Sequence, residues 1–193
     1  LRSRLSAANG QGLLEFSLVL PMMMVMVLGV LEIGYALLDQ HVVTKITREG
    51  SNLISRDTTI QDAANALKSM KTRPVDFDKQ SRMIFSVLKR GATNGTTNYD
   101  KIILYQRYEY GSLAGTSHIS TRGAGTFGSS PDYVAANSDG DANLQITNLP
   151  ANIIVTTGGL VYVNEVITKH TLLTPLDRFG ITLPSTLYSI AYF

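Results

Sequence analysis

The 193-residue chain reads as an α+β protein built from a long N-terminal hydrophobic helix, short helices and an antiparallel sheet of about four strands. Three observations lead there. Apolar residues are concentrated near the start, helical spacing continues well past that apolar run, and beyond residue 90 the pattern changes from helical to strand and loop. The corresponding organisation is a basic N-terminal leader at 1–12, a long helix at 13–57 and an extracytoplasmic α+β domain at 58–193, with a Gly/Ser-rich loop at 111–143.

The first element is the most informative. Leu1 to Gly10 carry Arg2 and Arg4 and no acid, and an apolar segment follows from Leu13 to Leu38, broken only by Glu15 and Glu32. At a rise of ~1.5 Å per residue, this segment spans about 39 Å, enough for a hydrocarbon core of roughly 30 Å. It exceeds the ~7 to 15 residues of a signal-peptide core. The basic flank predicts a cytoplasmic N-terminus with the remainder outside. The uncharged run from Phe16 to Leu31 is shorter than a usual span of about 20 residues, and Pro21 lacks the amide for a helical hydrogen bond. A single span then needs both carboxylates near the edges of the apolar band, Glu15 at one headgroup region and Glu32 near the opposite interface. Glu32 is open to two readings, a marker of the membrane exit or an assembly contact.

Helical spacing persists in "LDQHVVTKITREGSNLISRD", where Val42 or Val43, Ile46, Leu53 and Ile54 form a stripe, with Gly50 a candidate bend or end. Two shorter helices are expected next. "TTIQDAANALKSMK" offers Thr58 or Thr59 as a cap before Ile60, Ala63, Ala64, Leu67 and Met70. "DFDKQSRMIFSVLKR" places Asp76 or Asp78 at its start, Met83, Ile84, Val87 and Leu88 on one side, and Lys89 and Arg90 at its end. Residues 39–90 carry ten basic and six acidic groups, which reads as a solvated helical face, with an electropositive patch against acidic headgroups as the alternative.

Strands are expected in "KIILYQRYEYG", "ANLQITNLP", "GGLVYVNEVITKHTLL" and "LPSTLYSIAYF". In the third, Val161, Val163, Glu165 and Ile167 share one alternating set and Tyr162, Val166 and Thr168 the other. Glu165 reads as an edge or salt-bridged position rather than a catalytic acid. The stretch from Gly111 to Asn143 is long for a loop in a compact domain, and reads as an exposed interaction surface or as a segment ordered by neighbours.

Composition and spacing argue against most chemistry. A formal net charge of +2, without long basic blocks, gives no case for nucleic acid. Three histidines, His41, His118 and His170, lack ligand spacing, and there is no cysteine, so zinc or thiol chemistry is not expected. No GxSxG elbow occurs, and Gly158 with Gly159 lacks the context of a phosphate loop. Asp139 and Asp141 in "NSDGD" offer oxygen ligands for a weak calcium site but lack the closing glutamate of a hand loop, which favours a plain turn. Asn94-Gly95-Thr96 matches the three-residue glycosylation pattern. No active site assembles and no cofactor is implied.

"GQGLLEFSLVLP" resembles the N-terminal signature of the TadE-like pseudopilins of tight-adherence (Flp) pilus systems. Gly10 is followed by four residues, Glu15, Phe16 and an apolar run that reaches Pro21; downstream, Glu32 precedes Gly34 and Tyr35. The resemblance is specific over residues 10–39, looser in "GGLVYVNEVITKHTLLTPL", and absent from 91–143. It implies a pilin-like architecture, insertion in the inner membrane with the N-terminus cytoplasmic, and later residence in a surface filament. It also implies processing between Gly10 and Gln11 by a prepilin peptidase, self-association, and partners among other pilins and the secretion machinery. Glu15 would then dock a subunit by pairing with a neighbour's amino terminus, since a carboxylate in apolar surroundings is tolerable when paired. The basic leader is present here, so the chain is either seen before processing or of a kind that keeps it. In the second case Arg2 or Arg4 answers Glu15. A structural filament subunit is therefore expected, against a monomeric membrane-anchored adhesion or scaffold protein and, with least support, a membrane-tethered hydrolase.

Overall fold

The computed structural model describes residues 2–56, 58–174, 180 and 184–193, with side chains from residue 10 onward. Leu1 and Asp57, the side chains of Arg2 and Arg4, and Leu183 of the expected last strand segment lie outside the described residues. Helix α1 runs Arg2–Ile54 with Pro21 inside it, and α2 runs Ile60–Ser69. Strands β1 (Ser81–Arg90), β2 (Ile102–Gly111), β3 (Leu160–Lys169) and β4 (Thr186–Tyr192) form one antiparallel sheet in the order β2-β1-β3-β4. The long apolar helix and the four-stranded sheet make this a pilin-like α+β architecture. Contacts divide the chain into two units, Leu1–Leu38 with Thr171–Ser185, and Asp39–His170 with Thr186–Phe193.

In the sheet unit the two faces bury different partners. The Met83, Phe85 and Val87 side of β1 joins Val166 of β3, Val43, Ile46 and Ile54 of α1, and Ile60, Ala63, Ala64 and Leu67 of α2 in one core. Val42 to Ile54 thus carry the stripe that their spacing predicts. Gly50 does not end the helix; it is a point of close approach, since a Cβ there would lie 2.1 Å from Asn164 Nδ2 of β3. Asn164 in turn donates to the Thr47 carbonyl at 3.0 Å, and Ser51 donates to the Ala191 carbonyl at 2.9 Å, so polar contacts fix this part of α1 on β3 and β4. Of the two threonines expected as caps, Thr59 caps α2, its hydroxyl accepting from the Asp62 amide at 3.1 Å.

Two expected elements differ. "SRMIFSVLKR" is strand β1 rather than a helix. It is an inner strand buried on both faces, so its apolar residues run together without alternation, a pattern that a helix segment also produces. "ANLQITNLP" is not a strand; it holds a short 3-10 turn, Ala142–Leu144, and isolated bridges from Gln145 to Ile103 and from Ile146 to Thr121. The sheet therefore reaches four strands with one unexpected member.

Part of the stretch from Gly111 to Asn143 lies on the other face of the sheet as an ordered layer, while Tyr133 packs against the core on the α2 side and donates to Gln61. Ile119 is buried with Leu88, Leu104 and Val163, and bridges join Gln106 to Val134 and Phe127 to Ala135. Gly125 sits at a close approach, where a Cβ would lie 2.2 Å from Leu144 Cδ2. Contacts with its own sheet hold this stretch in place.

Candidate functional site

The site begins with the apolar part of α1. From Gly10 the helix is long and apolar enough to cross a membrane, and only 6% of its most apolar window is buried, which separates it from the core helix of a soluble protein. Phe16 is 61% exposed, Leu18 79% and Val30 71%, so the surface most averse to water is left open within the chain. Pro21 is accommodated without interrupting the helix. Glu15 is exposed, and among the described residues its hydrogen-bond partner is the Gln11 side-chain amide, which donates to it at 3.1 Å. Gly10 and Gln11 are exposed helical residues, with open space around Gly10.

Glu32 has the opposite environment. It is fully buried, and its carboxylate accepts from the Leu173 amide at 3.0 and 3.1 Å, from the Thr174 amide at 2.9 Å and from the Thr174 hydroxyl at 2.6 Å. Two successive backbone N–H groups converging on one carboxylate form a small anion-binding concavity. Glu15 and Glu32 are thus different kinds of group, one open to a partner and one held within its own chain. The sequence contains no signal for Leu173 and Thr174 as ligands, because they lie 141 and 142 residues away.

Glu165 is not at an edge and, among the described residues, forms no salt bridge; it is fully buried on the inner strand β3. Its carboxylate accepts from the Ser117 hydroxyl at 2.5 Å, the His118 amide at 2.6 Å and the Tyr188 hydroxyl at 2.7 Å. Burial first, and then the bond to Glu165, push the Tyr188 hydroxyl well above its ordinary range. Arg107 is held below its ordinary value by burial, opposed by the charges of Glu109 and Glu165. This is the geometry of a structural carboxylate. A hydrolytic triad needs an imidazole between hydroxyl and carboxylate, whereas here the hydroxyl donates directly and His118 contributes its main chain.

The remaining candidates are also structural. Asp141 accepts from the Asn143 amide at 2.9 Å, and the main-chain carbonyls of Ser138, Asp139 and Asp141 accept from Asn98, so "NSDGD" is a turn held by a buried asparagine. His170 pairs with Asp39 at 3.0 Å, His118 lies against Tyr188, and His41 is exposed. Among the described residues no group of three or more His, Cys, Asp or Glu converges as a metal site.

An exposed apolar N-terminal helix and an antiparallel sheet packed on the end of that helix's sequence define a pilin-like, membrane-associated protein. The similarity to known proteins lies in the same helix: residues 10–52 match the family described as TadE-like protein. Comparison with curated proteins and with solved structures finds no match. The family match spans Glu15, Phe16, Pro21 and Glu32 and stops before the sheet, and it agrees with a structural, non-enzymatic chain.

Proposed function

We propose that the chain is a structural subunit of a surface filament, anchored in the inner membrane by α1 and assembled by packing of the apolar helices of many copies. The observation that carries this reading is the run of exposed large hydrophobics from Leu13 to Leu38, which water will not solvate and which the chain does not cover. Lipid covers it first, and neighbouring helices replace lipid on assembly. Helix packing in that setting relies on close contact rather than on further hydrophobic gain. Glu15 is the docking charge of this scheme. Its partner is a positive group of an adjacent copy, the amino terminus of Gln11 after processing or Arg2 or Arg4 when the leader is kept. A prepilin peptidase, other pilins and the secretion machinery complete the set of partners.

Glu15→Gln tests this. The variant is expected to fold and insert like the wild type and to enter purified surface fibres at a level at least ten-fold lower, because a desolvated charge pair is lost. Mass determination of the fibre-borne chain identifies the partner through its first residue. Equal incorporation of variant and wild type removes the docking role, and fibres without this chain leave a monomeric membrane-anchored scaffold as the better reading.

A further inference from the structure

We propose that Glu32 is an internal latch, a positioning residue that fixes the segment after β3 on the anchor helix, rather than a charge that docks a second copy. Four donor contacts carry this: both carboxylate oxygens receive the Leu173 amide, and one also receives the Thr174 amide and hydroxyl, at 2.6 to 3.1 Å. The carboxylate has no exposed surface left for a neighbour. A buried carboxylate is costly when its oxygens lack donors, so the contacts work in both directions. They hold Leu173 and Thr174, and they make Glu32 compatible with an apolar helix.

The sequence separation of 141 residues adds a consequence. Leu173 is synthesised 141 residues after Glu32, so until then Glu32 lacks these donors. The anchor reaches its final state only when residues 171–174 dock. Glu32 therefore couples completion of the anchor helix to completion of the chain, a check that a leucine at this position would not provide.

Hydrogen exchange on the full chain in detergent tests the latch as a monomer, so its failure is separable from failure of filament assembly. The Leu173 and Thr174 amides are expected to exchange roughly ten-fold or more faster in Glu32→Leu than in the wild type, with the amides of Met83 to Val87 in β1 unchanged. Glu32→Gln, which keeps one acceptor oxygen, is expected to fall between them. It also serves as the decisive variant if the leucine variant loses protection in β1. Equal exchange at Leu173 and Thr174 in the wild type and in a variant with intact β1 would overturn the latch.

Discussion

Between Leu13 and Leu38, α1 exposes seventeen large hydrophobic side chains, whereas Val43, Ile46 and Ile54 of the same helix are 5% exposed or less. Both stretches are helical, and both are rich in aliphatic residues. They differ in what faces them. The later stretch meets α2, β1 and β3 and is pinned by Asn164 and by the Ala191 carbonyl. The earlier stretch presents aliphatic and methionine side chains outward, with Glu32 turned inward. Apolarity alone therefore does not locate a core. The narrow stripe of the later stretch marks intramolecular packing, while the broad apolar surface of the earlier one needs a cover from outside the chain.

One substitution in each stretch separates the two kinds of surface. Gly50→Leu forces a side chain onto Asn164 and onto Leu67, whose Cδ2 lies 2.9 Å from the built Cβ, and is expected to cost about 3 kcal/mol and on the order of 10 °C in Tm. Gly29→Leu meets nothing within 4 Å and is expected to leave Tm of the sheet unit within about 1 °C. Thermal unfolding in detergent, followed by the sheet signal, reads both. Similar losses at the two glycines would mean that the earlier stretch is packed within the chain after all.

A smaller effect sharpens the intramolecular side. Tyr188→Phe removes a donor from buried Glu165 and is expected to cost about 1 to 3 kcal/mol near neutral pH. The folded state raises the Tyr188 pKa above the ordinary value of 10.0, so above that pH it holds a proton that the unfolded chain releases. Stability from this group is complete below pH 10 and falls as pH rises further. The wild type should lose stability more steeply than Tyr188→Phe in alkaline denaturant titrations, with a residual slope from Tyr192, whose pKa is also raised, by burial first and by Glu165 second. Parallel curves would remove Tyr188 as the source.

Local signals are legible where an element buries a single face. The 3.6-residue spacing identifies α1 and α2, and Thr59 marks the start of α2 because a cap is a contact three residues long. β1 is illegible as a strand because burial on both faces removes the alternation that would reveal it. The glycines of 111–143 read as loop flexibility, yet Gly125 is there because Leu144 leaves no room for a side chain. Glu15 is recognisable from its place after Gly10, a local motif. The partners of Glu32 and Glu165 are tertiary, and nothing near either glutamate in sequence announces them.

Whether copies of this chain cover the exposed half of α1 is open to direct measurement, because the chain has no cysteine of its own. Met26 is 65% exposed, so Met26→Cys supplies a unique thiol on the surface in question. Cross-linking of purified fibres with a short thiol-specific linker is expected to give covalent dimers through residue 26. Fibres that contain the variant and yet yield only monomer, or a variant confined to the membrane as monomer while fibres form without it, would contradict the account.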